Sequence, residues 1–207
     1  MKRLLDLAIS AVLLLACSPL LAVTAVAIRV RMGAPVLFQQ KRIGRNEVPF
    51  VLLKFRTMHP GPEADEQRLT PLGRWLRRTS IDELPSLVNV LRGDMSLVGP
   101  RPLLTRYLPY YTDEERIRHR VRPGITGWAQ IHGRNRLDWD TRLAYDIWYV
   151  RHRSLALDAK ILWKTAQIVL TGQGVVDVPE TVQNDLDEER ELKQTHSEAL
   201  PGRTAAE

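Results

Sequence analysis

Two adjacent carboxylates, Asp82 and Glu83, have the clearest capacity for chemistry in this sequence. They stand at the expected start of a helix, where backbone N–H groups favour phosphate. Adjacent carboxylates there could bind Mg²⁺ through one oxygen and attack a phosphorus atom with another. The structural alternative, which the pattern itself favours, is a capping box between Ser80 and Glu83. Pro85 weakens that alternative because it removes a helical hydrogen bond.

Three cationic side chains could bind phosphate. Lys54 and Arg56 are two residues apart on an expected strand and therefore point to the same face, either as a phosphate clamp or as a solvated surface. Arg101 is flanked by two prolines that restrict the backbone, and a guanidinium held in this way matches the paired oxygens of phosphate. Asp146 precedes an aromatic pair and is interpreted, from the sequence alone, as a helix-surface acid.

The elements that must position these side chains are short and of mixed type. Strands are predicted at 33–40 and 48–58, and helices at 71–78, 81–91, 113–122, 141–152 and 158–170. Gly93 is a helix stop signal, residues 94–104 are predicted to be mostly loop, and 124–135 to be a glycine-rich turn region. From about Gln183 onward the chain is polar and charged, which predicts disorder.

The N-terminal segment is the strongest hydrophobic signal. An uncharged apolar run extends from Leu7 to Ile28, long enough as a helix to cross a bilayer core, with basic residues on both flanks. A cleaved signal peptide, a straight transmembrane span and a re-entrant hairpin all remain open. The straight span fits the length best. Pro19 after Ser18 at the midpoint, together with the two basic flanks, favours a hairpin that enters and leaves by one face.

Composition indicates the charge of the binding partner but does not identify the partner. The chain has 207 residues, enough for one compact domain, and a net charge of +6, which indicates an anionic partner. Cys17 is the single cysteine, so a disulfide framework is excluded and a reducing compartment is favoured. A membrane-anchored nucleic-acid-binding module could use the basic stretches 74–78 and 116–122, but it leaves the paired carboxylates unexplained. A membrane scaffold, with the acids serving only as a cap, is a further alternative.

Three longer motifs resemble a known family. KFRTM (54–58), SIDELPSLVNVLRGDMSLVGPRPLL (80–104) and RPGITGWAQIHGRN (122–135) are similar to the bacterial sugar transferase family. The closest likeness is to its small monotopic phosphoglycosyl transferases, which start glycan assembly on undecaprenyl phosphate. The resemblance covers roughly Lys2 to Thr171.

The resemblance implies an α+β fold on a membrane. It replaces the straight span by a re-entrant helix broken at Ser18 and Pro19, residues 1–31. A cytoplasmic transferase domain with short strands and amphipathic interfacial helices follows at 32–182, and a disordered polar tail at 183–207. The expected location is the cytoplasmic face of the bacterial inner membrane, with both termini cytoplasmic.

The resemblance also implies the reaction and its residues. A sugar 1-phosphate passes from a UDP-sugar to undecaprenyl phosphate through a phosphosugar on Asp82, with release of UMP. Glu83 assists and, with Asp82, holds Mg²⁺. The implied substrate-phosphate-binding residues are Lys54, Arg56, Arg101, Arg134 and Asp146. Inner-membrane lipids and downstream glycosyltransferases are expected partners and nucleic acid is not. Similarity to the small members implies an N-acetylated or diacetylated amino sugar as donor, and hexose donors remain open.

Overall fold

The fold combines helices with short strands, as the sequence predicts, and the strands form two small sheets. The structure is a computed structural model that describes residues 1–133, 137–171 and 185–198. The helices are α1 (Lys2–Ala16), α2 (Ser18–Met32), α3 (Asp65–Arg68), α4 (Pro71–Thr79), α5 (Ser86–Arg92), α6 (Trp128–His132), α7 (Trp139–His152), α8 (Leu155–Thr171) and α9 (Leu186–Glu198). The strands are β1 (Leu37–Ile43), β2 (Pro49–Phe55), β3 (Ser96–Val98) and β4 (Gly124–Thr126), and 3-10 turns cover Arg45–Glu47, Ile81–Glu83, Thr105–Tyr110 and Glu115–Arg120.

The N-terminal hydrophobic segment is broken where the sequence predicts. Helices α1 and α2 meet at Cys17 with a bend of 61°. The Ser18 hydroxyl donates to the Leu15 carbonyl at 2.8 Å, and Pro19 lies in the first turn of α2, where its missing N–H costs no helical bond. Among the described residues, no single helix is long and apolar enough to cross a membrane. The bent pair meets that test only when both helices are counted together.

The start of α1 is bound to the rest of the protein by buried polar contacts. The Lys2 ammonium donates to Asp158 Oδ2 at 2.6 Å and to the Val98 carbonyl at 3.2 Å. Asp6 is 5% exposed and accepts from the Ser96 hydroxyl at 2.8 Å. An acid inside a hydrophobic segment is therefore explained by the strand that it binds.

The end of α2 is bound to the same domain by Arg56. Its guanidinium donates to the carbonyls of Met32 at 2.5 Å, Gly33 at 2.7 Å and Ala34 at 3.1 Å. These carbonyls follow the last helical turn and have no partner within the helix, so Arg56 satisfies them. Both ends of the bent pair are thus attached to one domain.

Helix α5 is fastened to the outer edge of the β1–β2 hairpin. The hairpin is antiparallel, with Phe38 opposite Lys54, and its β2 edge would otherwise leave buried backbone groups unpaired. Asn89 is fully buried; its amide accepts from the Leu53 N–H at 3.0 Å and donates to the Val51 carbonyl at 2.7 Å. The Ser86 hydroxyl donates to the Leu53 carbonyl at 2.7 Å. Two α5 side chains therefore replace a third strand.

A second sheet lies in a segment that the sequence predicts to be loop and turn. Strand β3 is fully buried and pairs in parallel with β4, with Ser96 opposite Gly124. A Cβ at Gly124 would lie 2.1 Å from the Gly99 nitrogen, so only glycine permits this approach. Each strand has three residues, too few for an alternating pattern to be visible in the sequence.

The predicted disorder of the C-terminal tail is wrong for residues 185–198. Leu186, at the start of α9, is fully buried in a core cluster with Ile43, Leu103, Tyr107 and other apolar residues. Several ion pairs surround this contact, among them Arg106–Asp187, Arg190–Glu115, Arg190–Asp140 and Lys193–Asp140. Composition alone cannot show that one leucine of a charged segment enters a distant core.

Leu186→Ala should destabilise the protein measurably. Truncation of a fully buried leucine typically costs about 2–5 kcal/mol. We expect a lower midpoint of thermal denaturation, followed by circular dichroism of the detergent-solubilised protein. Leu192→Ala is the matched control, since this α9 leucine is 61% exposed and its truncation should change little. Equal midpoints for the two variants would contradict the docking of α9.

Candidate active site

The carboxylate of Glu83 binds two of the predicted phosphate-binding cations, Lys54 and Arg101. Glu83 Oε1 accepts from the Lys54 ammonium at 2.6 Å and from the Arg101 guanidinium at 3.2 Å. Lys54 comes from β2, Glu83 from the turn before α5, and Arg101 from the loop after β3. The structure therefore brings together three residues that the sequence selected separately.

The predicted capping box at Ser80 is wrong. Ser80 has φ 56° and ψ 17°, a left-handed conformation in which it ends α4, and its side chain caps no helix. An N-cap residue needs an extended backbone, so Ser80 cannot serve both purposes. The predicted helix 81–91 is instead a short 3-10 turn followed by α5, and Pro85 precedes the first α5 residue. Glu83 is thereby released to bind cations.

Asp82 lies beside this ion-pair cluster and is 8% exposed. Burial and the neighbouring Glu83 raise the pKa of Asp82, while Lys54, Arg77 and Arg101 oppose the rise. For Glu83, burial alone would raise the pKa, but Lys54 and Arg101 outweigh it and lower the pKa. The two neighbours are therefore different chemically: Glu83 holds the negative charge, and Asp82 is the more basic carboxylate.

A solvent-open cleft with about 290 Å³ of empty space adjoins the cluster. Its polar lining includes three cations and one carboxylate, and its apolar lining comes from β2, the loop after α5, and β4. The lining residues are Arg42, Leu52, Lys54, Glu83, Ser86, Met95, Arg101, Pro102, Gly124 and Ile125. A positively charged recess of this kind suits an anionic substrate.

Arg42 is a cleft residue that the sequence analysis missed. In the antiparallel register Phe38 faces Lys54, and Arg42 lies four residues after Phe38 on β1. Side chains alternate along a strand, so Arg42 shares a face with Lys54. The signal was present in the sequence, but it can be read only once the hairpin register is known.

Arg56 is not among the residues that line the cleft. It is the first residue after β2, its guanidinium binds the carbonyls at the end of α2, and it is 7% exposed. Arg134, another predicted phosphate ligand, lies outside the described residues. Of the sequence-predicted phosphate-binding side chains, the structure therefore places Lys54 and Arg101 at the cleft.

Asp146 is buried rather than on a helix surface. It accepts from Arg118 Nε at 3.1 Å and Nη2 at 2.8 Å, and both side chains are 2% exposed. Arg118 Nη2 also donates to the Arg101 carbonyl at 2.6 Å. Asp146 thus acts on the site indirectly. It positions Arg118, and Arg118 binds the backbone carbonyl of Arg101.

The same contacts argue against a nucleic-acid surface in the stretch 116–122. Arg118 and His119 are buried there, and Arg116 is bound to Glu47 at 2.7 Å. Burial and the nearby Arg118 and Arg116 lower the pKa of His119 to about 3, so the ring is neutral at physiological pH. Because Arg118 and His119 are buried and Arg116 is paired, most of this stretch is not available to track phosphates along a strand.

The protein side chains at the site could supply part of the coordination shell of a magnesium ion. In the described ranges, no three His, Cys, Asp or Glu side chains come together as a metal site. Asp82 and Glu83 offer two carboxylates, and both Glu83 ion pairs use Oε1, which leaves Oε2 outside them. Mg²⁺ commonly takes one or two protein carboxylates and completes its shell with waters and substrate phosphates. The residues present fit that kind of site.

Comparison with known proteins identifies the family. The model of the family described as "Bacterial sugar transferase" matches residues 1–172. The chain belongs to the bacterial sugar transferase family. The docked helix α9 lies beyond the residues that this family model matches.

The relatives of this sugar transferase include one uncharacterized protein and two that are named for a reaction. It is 49% identical over 181 residues to the uncharacterized sugar transferase EpsL of Bacillus subtilis, covering 84% of this chain and 90% of that protein. It is 46% identical to the undecaprenyl-phosphate glucose phosphotransferase of Komagataeibacter xylinus, over 79% of this chain and 35% of that protein. It is 44% identical to the UDP-glucose:undecaprenyl-phosphate glucose-1-phosphate transferase of Caulobacter vibrioides, over 82% of this chain and 70% of that protein.

This chain covers only part of the length of some of these relatives. It spans 90% of the Bacillus protein, but 35%, 41% and 42% of the next three relatives. Similarity to those longer proteins therefore concerns only part of their length.

Asp146→Asn should destabilise this sugar transferase strongly. Removal of one partner of a buried ion pair leaves the other charge unpaired, which costs about 3–5 kcal/mol. Glu114→Gln is the control, because Glu114 pairs with Arg151 in an exposed contact of a kind worth about 0–1 kcal/mol. Thermal denaturation of both variants should show a large loss for the first and almost none for the second. A small effect of Asp146→Asn would contradict its role as the support of Arg118.

Proposed function

We propose that this protein transfers a sugar 1-phosphate from a UDP-sugar to undecaprenyl phosphate and releases UMP. The observation that carries the proposal is the cationic cleft lined by Lys54, Glu83 and Arg101, with the buried Asp82 directly adjacent to Glu83 in the chain. The names of two relatives supply the substrate classes, since they are undecaprenyl-phosphate sugar phosphotransferases.

The proposed reaction has two balanced steps. A carboxylate oxygen of Asp82 attacks the sugar-bearing phosphorus of the UDP-sugar, and the bond from that phosphorus to the bridging oxygen breaks. UMP leaves with the electron pair, and a phosphosugar remains joined to Asp82 as a mixed anhydride. A phosphate oxygen of undecaprenyl phosphate then attacks the same phosphorus, and Asp82 leaves as a carboxylate. Two covalent steps allow a soluble donor and a lipid acceptor to use the site in turn.

The cationic residues of the cleft counter electrostatic repulsion, which is the main barrier to the proposed reaction. A carboxylate that approaches a diphosphate meets like charge, and fixed cations lower that barrier without reorganisation. Lys54 and Arg101 are already held beside the carboxylates by Glu83, and Arg118 fixes the Arg101 backbone. A bound Mg²⁺, held by Asp82 and Glu83, would supply further neutralisation of the diphosphate. The raised pKa of Asp82 accompanies a more basic, hence more nucleophilic, carboxylate.

We also infer that α1 and α2 form a re-entrant membrane hairpin. Both ends of the pair are attached to one domain, at Lys2 and through Arg56, which a straight span would not allow. Apolar side chains of the pair face away from the protein, namely Leu4, Val12, Leu15, Val23, Val26 and Val30. Basic residues flank both ends, as expected where both lie on the cytoplasmic side. The lipid phosphate would then lie on the side of the membrane that carries the domain.

The central experiment is the search for a phosphosugar on Asp82. Purified protein in detergent is incubated with Mg²⁺ and single UDP-sugars, without lipid acceptor, and its intact mass is measured. We expect an added sugar-phosphate group that disappears on addition of undecaprenyl phosphate, with UMP released before the acceptor is present. Asp82→Asn should give no adduct and no turnover, whereas Asp113→Asn, at an exposed position, should behave as the wild type.

Two results would redirect the proposal. Turnover by Asp82→Asn at the wild-type rate would remove Asp82 from the chemistry. UMP release that depends strictly on the acceptor, without any trapped adduct, would favour direct transfer in a ternary complex.

The hairpin topology can be tested by labelling in intact and opened membrane vesicles. In a Cys17→Ala background, single cysteines inserted directly after Met1 and placed at Arg31 should both react with an impermeant reagent only from the cytoplasmic side. Replacement of Ser18 and Pro19 by leucine should straighten the helix pair and move the label after Met1 to the opposite side. Labelling of the cysteine after Met1 from the outer side in the unmodified hairpin would support a straight span instead.

A further inference from the structure

Arg42 lines the cleft, yet nothing in the reaction described above uses it. Its Nη1 lies 3.4 Å from the Pro102 carbonyl, and its Nη2 donates to the side-chain oxygen of Gln40. Both acceptors are neutral, and the carbonyl contact is long for a hydrogen bond. Arg56 shows what a structural arginine looks like in this protein, with three carbonyls at 2.5 to 3.1 Å. Arg42 is held in place but far less completely satisfied.

Arg42 forms no ion pair with a carboxylate over the part of the chain that the structure describes, where Glu83 pairs with Lys54 and Arg101. Burial and the adjacent cation Arg101 lower the pKa of Arg42 to about 10, against the opposing influence of Tyr107, Asp185 and Glu83. The guanidinium therefore remains charged at physiological pH, beside a like charge. A partly buried cation pair of this kind is stabilised by an anion between its members.

We propose that Arg42 and Arg101 together bind one phosphate group of a substrate. The two guanidiniums come from β1 and from the loop after β3, line one cleft together with Lys54, and present planar donors of the kind that match phosphate oxygens. The chemistry of the ligand, a phosphate, follows from the cleft itself. Its source, either the donor diphosphate or the lipid phosphate, rests on the proposed function.

A bound phosphate should also relieve the repulsion between the two arginines. A ligand that binds the folded protein stabilises it in proportion to its affinity and concentration. Inorganic pyrophosphate should therefore raise the midpoint of thermal denaturation of the wild-type protein, and the rise should be smaller when Arg42 is neutralised.

The test is calorimetric titration of the full chain in detergent with inorganic pyrophosphate. Arg42→Gln should weaken binding by about tenfold to a hundredfold, as expected for loss of a charge-assisted contact. Lys41→Gln is the matched control: it removes the same charge one residue earlier on the same strand, from the opposite face, where Lys41 is exposed. It should change the affinity less than about twofold, a difference within the range of screened surface charge.

Wild-type affinity in Arg42→Gln, equal losses in both variants, or no binding by the wild type would each overturn the proposal. Circular dichroism checks that the variants fold. Should Arg42→Gln fail to fold, Arg42→Lys decides, since it keeps the charge but loses the planar fork; undiminished affinity there would overturn a paired-guanidinium site.

Kinetics with the same variants then identify the source of the phosphate. A higher half-saturating UDP-sugar concentration in the single-turnover release of UMP without acceptor assigns the site to the donor, whereas a higher KM for undecaprenyl phosphate alone assigns it to the acceptor. Pyrophosphate binding does not require turnover. Loss of the reaction proposed for Asp82 would therefore leave the phosphate site at Arg42 standing, and the reverse also holds.

Discussion

The contact on which the site depends is the carboxylate of Glu83 shared by Lys54 and Arg101. Charges that leave water need partners with good geometry, because an unpaired buried charge costs several kcal/mol, in round terms ~3–5. Here Lys54 and Arg101, which are distant in sequence from Glu83 and from each other, must both reach Glu83 Oε1. Their positions cannot be adjusted locally, so each segment needs its own support from the fold.

Those supports are polar side chains that bind backbone groups. Asn89 and Ser86 hold α5, and with it the Asp82–Glu83 turn, against the edge of β2. Arg118 holds the Arg101 carbonyl and is itself held by Asp146. Sheets of two strands leave many edge groups unpaired, and buried backbone groups must find partners. The protein therefore uses side chains where larger folds would use further strands, and this explains why so many of its polar residues are buried.

Local sequence patterns predicted those structural features that depend on interactions between residues close in the chain. The break at Pro19, the amphipathic helix α4 and the stop at Gly93 were all predicted, because proline, helical periodicity and a left-handed glycine act within a few residues. The motifs that carry Asp82 and Arg101 pointed to the family. Long-range pairings were not predictable in this way. Asp146 seemed exposed because its partner lies 28 residues earlier, and Leu186 seemed disordered because its core lies in another part of the chain.

Proximity along the chain connects the proposed membrane hairpin to the cleft. Lys54 is the second-last residue of β2 and Arg56 is the first residue after that strand, so their Cα atoms are at most about 7 Å apart. Lys54 binds the carboxylate of Glu83, and Arg56 binds the backbone where α2 ends. From the sequence, this pair could form either a phosphate clamp or a solvated face, because strand alternation fixes a face and not a partner. Since the two cations bind different partners, the attachment of the hairpin end lies only two residues along the chain from a residue of the cleft. With the proposed function, a lipid phosphate at the level of that hairpin end would need little displacement to reach the cleft.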